Sequence, residues 1–150
     1  MKKFAIASLI ALAATAASAL EVGVTTTSDY SGVDKRAGYG LTVGKQAGAL
    51  SVTGGFERFT KGSNDQDRYS VTAGYDVAKF GPVTLTPKVA VAYLNNQTSA
   101  NGYALAVGVG ASVPVTKQID FTLDTARQYG QKRVQESDGN TVVAGLKYKF

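Results

Sequence analysis

The sequence predicts an all-β protein, an eight-stranded antiparallel up-and-down transmembrane β-barrel, on three observations. Apolar and polar side chains alternate with a period of two in eight successive segments. The connections between those segments alternate between longer polar stretches and short turns, and helix-period runs are absent. An even number of antiparallel strands of about ten residues, long connections at one end and tight turns at the other, is what a barrel in a bilayer requires. Closure is obligatory there, because an open sheet edge in lipid leaves backbone groups unpaired.

Residues 1–19 come before the alternation. Met1-Lys2-Lys3 is a basic start, Phe4 to Ala16 is an Ala-rich apolar run, and Ala17-Ser18-Ala19 is a small-x-small cleavage site, so this stretch reads as a secretory signal peptide. The run is shorter than the roughly 20 residues a membrane-spanning helix needs. Removal of Lys2 and Lys3 with it lowers the formal charge from +5 to +3, leaving 14 basic against 11 acidic residues in a barrel domain of residues 20–150.

The first segment sets Leu20, Val22 and Val24 against Glu21, Gly23 and Thr25; the second sets Tyr39, Leu41 and Val43 against Gly40, Thr42 and Gly44. Leu50, Val52 and Phe56 oppose Ser51, Thr53 and Glu57 in the third, and Tyr69, Val71 and Tyr75 oppose Ser70, Thr72 and Asp76 in the fourth. The fifth carries Val83, Leu85, Val89 and Val91 against Thr84, Thr86 and Lys88. Pro87 lies inside it and removes a ladder donor, which predicts a bulge or local break. Tyr103, Leu105, Val107 and Val109 oppose Ala104, Ala106, Gly108 and Gly110 in the sixth. Ile119, Phe121 and Leu123 oppose Asp120 and Asp124 in the seventh, and Val142, Ala144, Leu146, Tyr148 and Phe150 oppose Val143, Gly145, Lys147 and Lys149 in the eighth. The longer connections fall near 31–37, 60–67, 95–102 and 130–140, the short ones near 45–48, 78–82 and 114–117.

Alternation alone leaves the inward face open. A soluble periplasmic barrel of the lipocalin type would bury the Val/Leu/Tyr face, whereas a membrane barrel turns it to lipid. Two features favour the membrane arrangement. The polar face is rich in Gly and Ala, which suits a cramped lumen. Aromatics of the apolar face also gather at segment ends, with Tyr30, Tyr39, Tyr69, Tyr93 and Tyr103 at the long-loop end and Tyr148 and Phe150 at the other, as an aromatic girdle would.

Charges of the polar face are then expected to pair across the lumen: Asp124 with Lys147, Asp120 diagonal to Lys149, Glu21 beside Lys149, and Asp76 near Lys88. Buried charges persist only if paired, so removing one partner is expected to cost about 3–5 kcal/mol. A water-filled lumen would reduce this to about 0–1 kcal/mol.

Composition excludes much chemistry. With no Cys and no His the chain has no disulfide, thiolate or Cys-based metal site and lacks the commonest general base. Asp120 and Asp124, four strand residues apart, are roughly 13 Å from each other, too far to act as one acid–base pair. No enzyme activity, metal or cofactor is expected, and no basic patch interleaved with aromatics suggests nucleic acid.

The stretch Val142-Val143-Ala144-Gly145-Leu146-Lys147-Tyr148-Lys149-Phe150 is similar to the C-terminal insertion signal of small eight-stranded outer-membrane barrels of Gram-negative bacteria, the group containing outer-membrane protein X and the membrane domain of outer-membrane protein A. The mature chain as a whole resembles that family. The resemblance implies that Leu146, Tyr148 and Phe150 are read by the outer-membrane assembly machinery, and that the chain resides in the outer membrane as a monomer after export through the periplasm. Enzymes of the barrel class depend on a catalytic His, and this chain has none to match.

Three functions follow as expectations: a structural or interaction barrel with a plugged lumen, a narrow porin-like channel, or a soluble periplasmic binding barrel. Eight strands leave an interior just wide enough for side chains to fill, which favours the first. Its outer loops offer Lys35, Arg36, Lys61, Arg68, Lys132 and Arg133 as cations for lipopolysaccharide phosphates, interspersed with Asp34, Asp65, Asp67, Glu136 and Asp138.

Overall fold

In the computed structural model, residues 20–31, 34–60, 65–96, 101–130 and 138–150 are described. The expected signal peptide and Lys61, Lys132 and Arg133 lie outside them, as do the side chains of Tyr30 and Lys35.

Every described element is a strand: β1 Leu20–Ser31, β2 Asp34–Ala47, β3 Leu50–Thr60, β4 Gln66–Tyr75, β5 Ala78–Phe80, β6 Val83–Asn96, β7 Gly102–Pro114, β8 Ile119–Gly130 and β9 Gly139–Lys149. Neighbours pair antiparallel in the order β4-β3-β2-β1-β9-β8-β7-β6, and β4 then pairs with β6, so the eight long strands close into a barrel. The short β5 extends the sheet only beside β6.

Side-chain direction follows the period-two pattern throughout. Outside stand Val24, Leu41, Val71, Val91, Leu105, Leu123 and Leu146, all exposed. The buried groups are largely polar: Glu21, Thr27, Glu57, Arg68, Thr86, Asp120, Gln128 and Thr141. That inversion of the soluble rule removes the lipocalin-like alternative, whose core would hold the Val/Leu/Tyr face.

Aromatic side chains collect on the outer face near the long connections. Phe56, Tyr69, Tyr93 and Tyr103 stand directly opposite one another across β3, β4, β6 and β7. The Phe56–Tyr69 and Tyr93–Tyr103 centroids are each 5.2 Å apart. Tyr39 and Tyr129 extend the belt on β2 and β8. At the turn end Tyr148 packs edge-on against Phe150 with centroids 4.9 Å apart.

Two expectations need correction. The first outer connection is only residues 32–33, because β1 and β2 keep pairing to Ser31↔Asp34; Lys35 and Arg36 therefore belong to a strand rather than to a loop. A polar stretch can stay in a sheet above the membrane, since pairing uses the backbone alone. The Pro87 expectation needs correcting only in part: β6 runs unbroken from Val83 to Asn96, but a bulge is there, since Tyr75, Asp76 and Val77 oppose only Thr86 and Pro87 between Gly74↔Lys88 and Ala78↔Leu85. The break falls on the facing strand, where Asp76 and Val77 interrupt the run between β4 and β5. Val77 N–H donates to the Leu85 carbonyl at 3.0 Å, so Leu85, and Pro87 two residues on, turn their backbone polar groups towards that break. A missing donor is thus matched by a missing partner.

Candidate functional site: the barrel lumen and its outer rim

Short turns, β5, the start of β1 and the end of β9 lie at one end of the barrel, the periplasmic end of an outer-membrane barrel, and the ends of β3, β6 and β8 lie at the other. Between them the lumen falls into two parts.

The outer part is closely filled by side chains. Phe59 and Leu94 point inward and are fully buried at 0%, with Thr27 also at 0% and Gln66 and Gln128 at 3%. Beneath Phe59 the Arg68 guanidinium lies 4.8 Å from the ring centroid. Arg68 Nε and Nη2 both reach Glu57 Oε2 at 2.6 Å, and Nη1 donates to Gln128 Oε1 at 3.1 Å. Thr27 Oγ1 donates to the other Glu57 oxygen. Glu57 and Arg68 are direct cross-strand neighbours, so the pair is set by β3–β4 register. Every charged atom of the pair therefore has a partner, the condition under which buried ions are tolerated.

The periplasmic part holds a cavity of about 520 Å³ that runs from Glu57 and Arg68 down to Lys79, Gly81 and Pro82. Its walls carry the cations of three further ion pairs: Lys88 Nζ to Asp124 Oδ1 at 2.5 Å, Lys147 Nζ to Glu21 Oε2 at 3.1 Å, and Lys149 Nζ to Asp120 Oδ2 at 2.6 Å. Asp76 is held instead by Gln46 Nε2 and Thr86 Oγ1, both at 2.7 Å. Glycines make this room. A Cβ on Gly110 would lie 2.7 Å from Lys88 Nζ and collide with Asp124.

The seven lumen residues expected to pair do face inward, but mostly with other partners. Asp120 does reach Lys149, and Glu21 stands directly opposite Lys149 as expected although its ion pair is with Lys147; Asp124 pairs with Lys88 rather than Lys147, and Asp76 with neutral donors rather than Lys88. What separates Asp124 from Lys147 is register. Lys147 stands opposite Asp120 while Asp124 stands opposite Val143, so the β8–β9 pairing is offset from the expected one by an even number of residues. An even slip preserves faces and changes partners.

Arg68 is the other correction. Expected as a loop cation, it sits in the lumen at 7% exposure. Arg36 shares the inward parity on β2, opposite Asp29. Cations that do leave the outer wall are Arg58, 2.9 Å from Asp65, and Arg127, whose guanidinium lies 5.6 Å from the Tyr129 ring centroid. Phe59, Leu94 and Gln128 escaped the sequence reading, although they continue the inward parity of the third, fifth and seventh segments by two to four residues.

Among the described residues no group of three or more acidic side chains converges as a metal site. Leu146 and Phe150 stand exposed on the outer wall, with Tyr148 between them.

A closed eight-stranded barrel with an apolar outer wall and a polar lumen defines an integral outer-membrane protein. Comparison with known proteins narrows this. Residues 1–145 match the family described as YfaZ precursor, and the chain belongs to that family. The precursor description agrees with an exported protein. Among solved structures the chain is similar to the Neisserial surface protein A, with 19% identity and a TM-score of 0.67 over 88% of this chain and 96% of that one. A major outer-membrane protein from Thermus thermophilus aligns with 15% identity and a TM-score of 0.61, covering 87% and 99% of the two chains. The outer-membrane protein Ail of Yersinia pestis aligns with 17% identity and a TM-score of 0.57, covering 89% and 100%. These similarities concern the fold. A comparison with curated proteins found no match.

Proposed function

We propose that the chain is a non-enzymatic structural or interaction barrel, closed to solutes in its outer half and in contact with lipopolysaccharide at its rim. The observation that supports it most is the packed layer of Phe59, Leu94 and the Glu57–Arg68 pair. The chain has no His or Cys, and among the described residues Glu21, Glu57, Asp76, Asp120 and Asp124 of the lumen are engaged by cations or neutral donors, which leaves little for acid–base chemistry there. Reconstituted in planar bilayers, the protein is expected to give no discrete conductance. Stepwise currents would overturn the closed reading and favour the narrow channel, which the 520 Å³ cavity alone supports.

The same proposal covers assembly. Leu146, Tyr148 and Phe150 form an apolar edge on the last strand that the assembly machinery reads. Phe150→Ser should lower the outer-membrane yield and leave protein in the periplasm, measured by fractionation. Normal insertion would remove that role.

A further inference from the structure

We infer that Arg127, Asn140 and Tyr129 form a lateral binding site for the phosphate of an outer-leaflet lipopolysaccharide molecule, an inference that rests on the rim contact proposed above. Arg127 projects from the lipid-facing side of β8, where Phe121, Leu123 and Tyr129 share its parity. Directly opposite it on one side stands Asn140 of β9, also exposed, and on the other Val107 of β7. Arg127 lies two residues below Tyr129, about 5 Å down the membrane normal for a strand tilted about 40°. The cation therefore starts inside the apolar band.

A charge there has two ways to be tolerated: it reaches up to the headgroup level, or it is met by an opposite charge. Its stem leads it past the Tyr129 ring, over which the guanidinium settles at 5.6 Å. Stacking occupies the guanidinium face and leaves the N–H edge available for a planar or tetrahedral oxyanion. Among the described residues no carboxylate lies within ion-pair distance of it. The contrast with Arg58 is direct, since that outward arginine of the same rim is already neutralised by Asp65 at 2.9 Å.

The surroundings specify the occupant. Asn140 adds amide donors beside the guanidinium, while Val107, Val109 and Val142 form an exposed apolar floor at and below its level. A phosphate with acyl chains beneath it satisfies both halves, and in the outer leaflet that chemistry belongs to lipopolysaccharide.

The test is thermal unfolding of the full barrel in zwitterionic micelles titrated with lipopolysaccharide, with phosphatidylglycerol and dephosphorylated lipopolysaccharide as parallel arms. Arg127→Gln should weaken the lipopolysaccharide effect about tenfold, the loss of one charge-assisted hydrogen bond, and leave unfolding without added lipid unchanged. Arg127→Lys should recover only part of it, and Arg58→Gln should bind as the parent does. A wild-type barrel that lipopolysaccharide does not stabilise overturns both the rim contact and this site. A stabilisation fully retained in Arg127→Gln, or equal with the dephosphorylated lipid, overturns the site alone, and equal stabilisation by phosphatidylglycerol removes its assignment to lipopolysaccharide.

Discussion

The outer and periplasmic halves of the lumen use the same chemistry under different hydration. In the outer half the Arg68 and Glu57 side chains are 8% and 9% exposed, whereas Lys88 and Asp124 in the lower half are 27% and 26% exposed beside a cavity. An ion pair gains from a low dielectric only what it does not lose in hydration, and breaking one leaves a stranded charge whose cost depends on whether water can reach it. Four pairs that look alike in composition therefore differ in consequence. The upper one sits in a packed layer, and of the lower three only Lys88–Asp124 has both partners open to the cavity, since Glu21 and Asp120 are 4% and 6% exposed.

The contrast can be broken most forcefully at Glu57. Glu57→Ala strands the Arg68 guanidinium and should cost about 3–5 kcal/mol, while Glu57→Leu with Arg68→Met should cost much less. Heat-modifiable gel migration across a urea series measures both, which suits a chain without Trp. Phe59→Ala should cost a similar 3–5 kcal/mol through the cavity it leaves, and it alone should admit small ions in bilayer recordings. Gly110→Ala tests the lower half by crowding; the added methyl must displace the Lys88–Asp124 pair, and a loss of about 1–3 kcal/mol is expected on the same gels. Lys88→Ala should have the smallest effect, about 0–1 kcal/mol, because Lys88 and Asp124 are 27% and 26% exposed and both face the cavity. A loss at Lys88 as large as that at Glu57 would erase the distinction between the two pairs.

Which face each residue takes was legible in the sequence because a strand has one period and no freedom within it: Glu21, Lys88, Asp124 and Lys149 all face inward as their parity requires. Partners were less legible. Asp124 meets Lys88 because β7 between them carries Gly108 and Gly110, leaving no side chain to separate β6 from β8, a packing effect that pairwise register does not contain. The packed layer was hidden for another reason. Phe59 and Leu94 are apolar residues at lumen positions, so they break the polar-in rule by which strands were traced, and the trace stopped short of them. Arg68 looked like a loop cation for the same reason, since β4 begins two residues before it at Gln66.

The inner face of β7 reads Ala104, Ala106, Gly108, Gly110, and its outer face Tyr103, Leu105, Val107, Val109. Tolerance to substitution should accordingly alternate along this one strand. Outward positions can drift among apolar residues, because lipid accepts any shape. Inward ones are held by volume: a Cβ on Gly108 would come within 2.6 Å of the Ala126 methyl, and one on Gly110 would press on Lys88. At Gly110 an enlargement has to be matched by a shortening of Lys88 or Asp124, so change there must come in compensated pairs, whereas at Gly108 the nearest atom is the Thr125 carbonyl oxygen of the backbone and no paired side-chain change makes room.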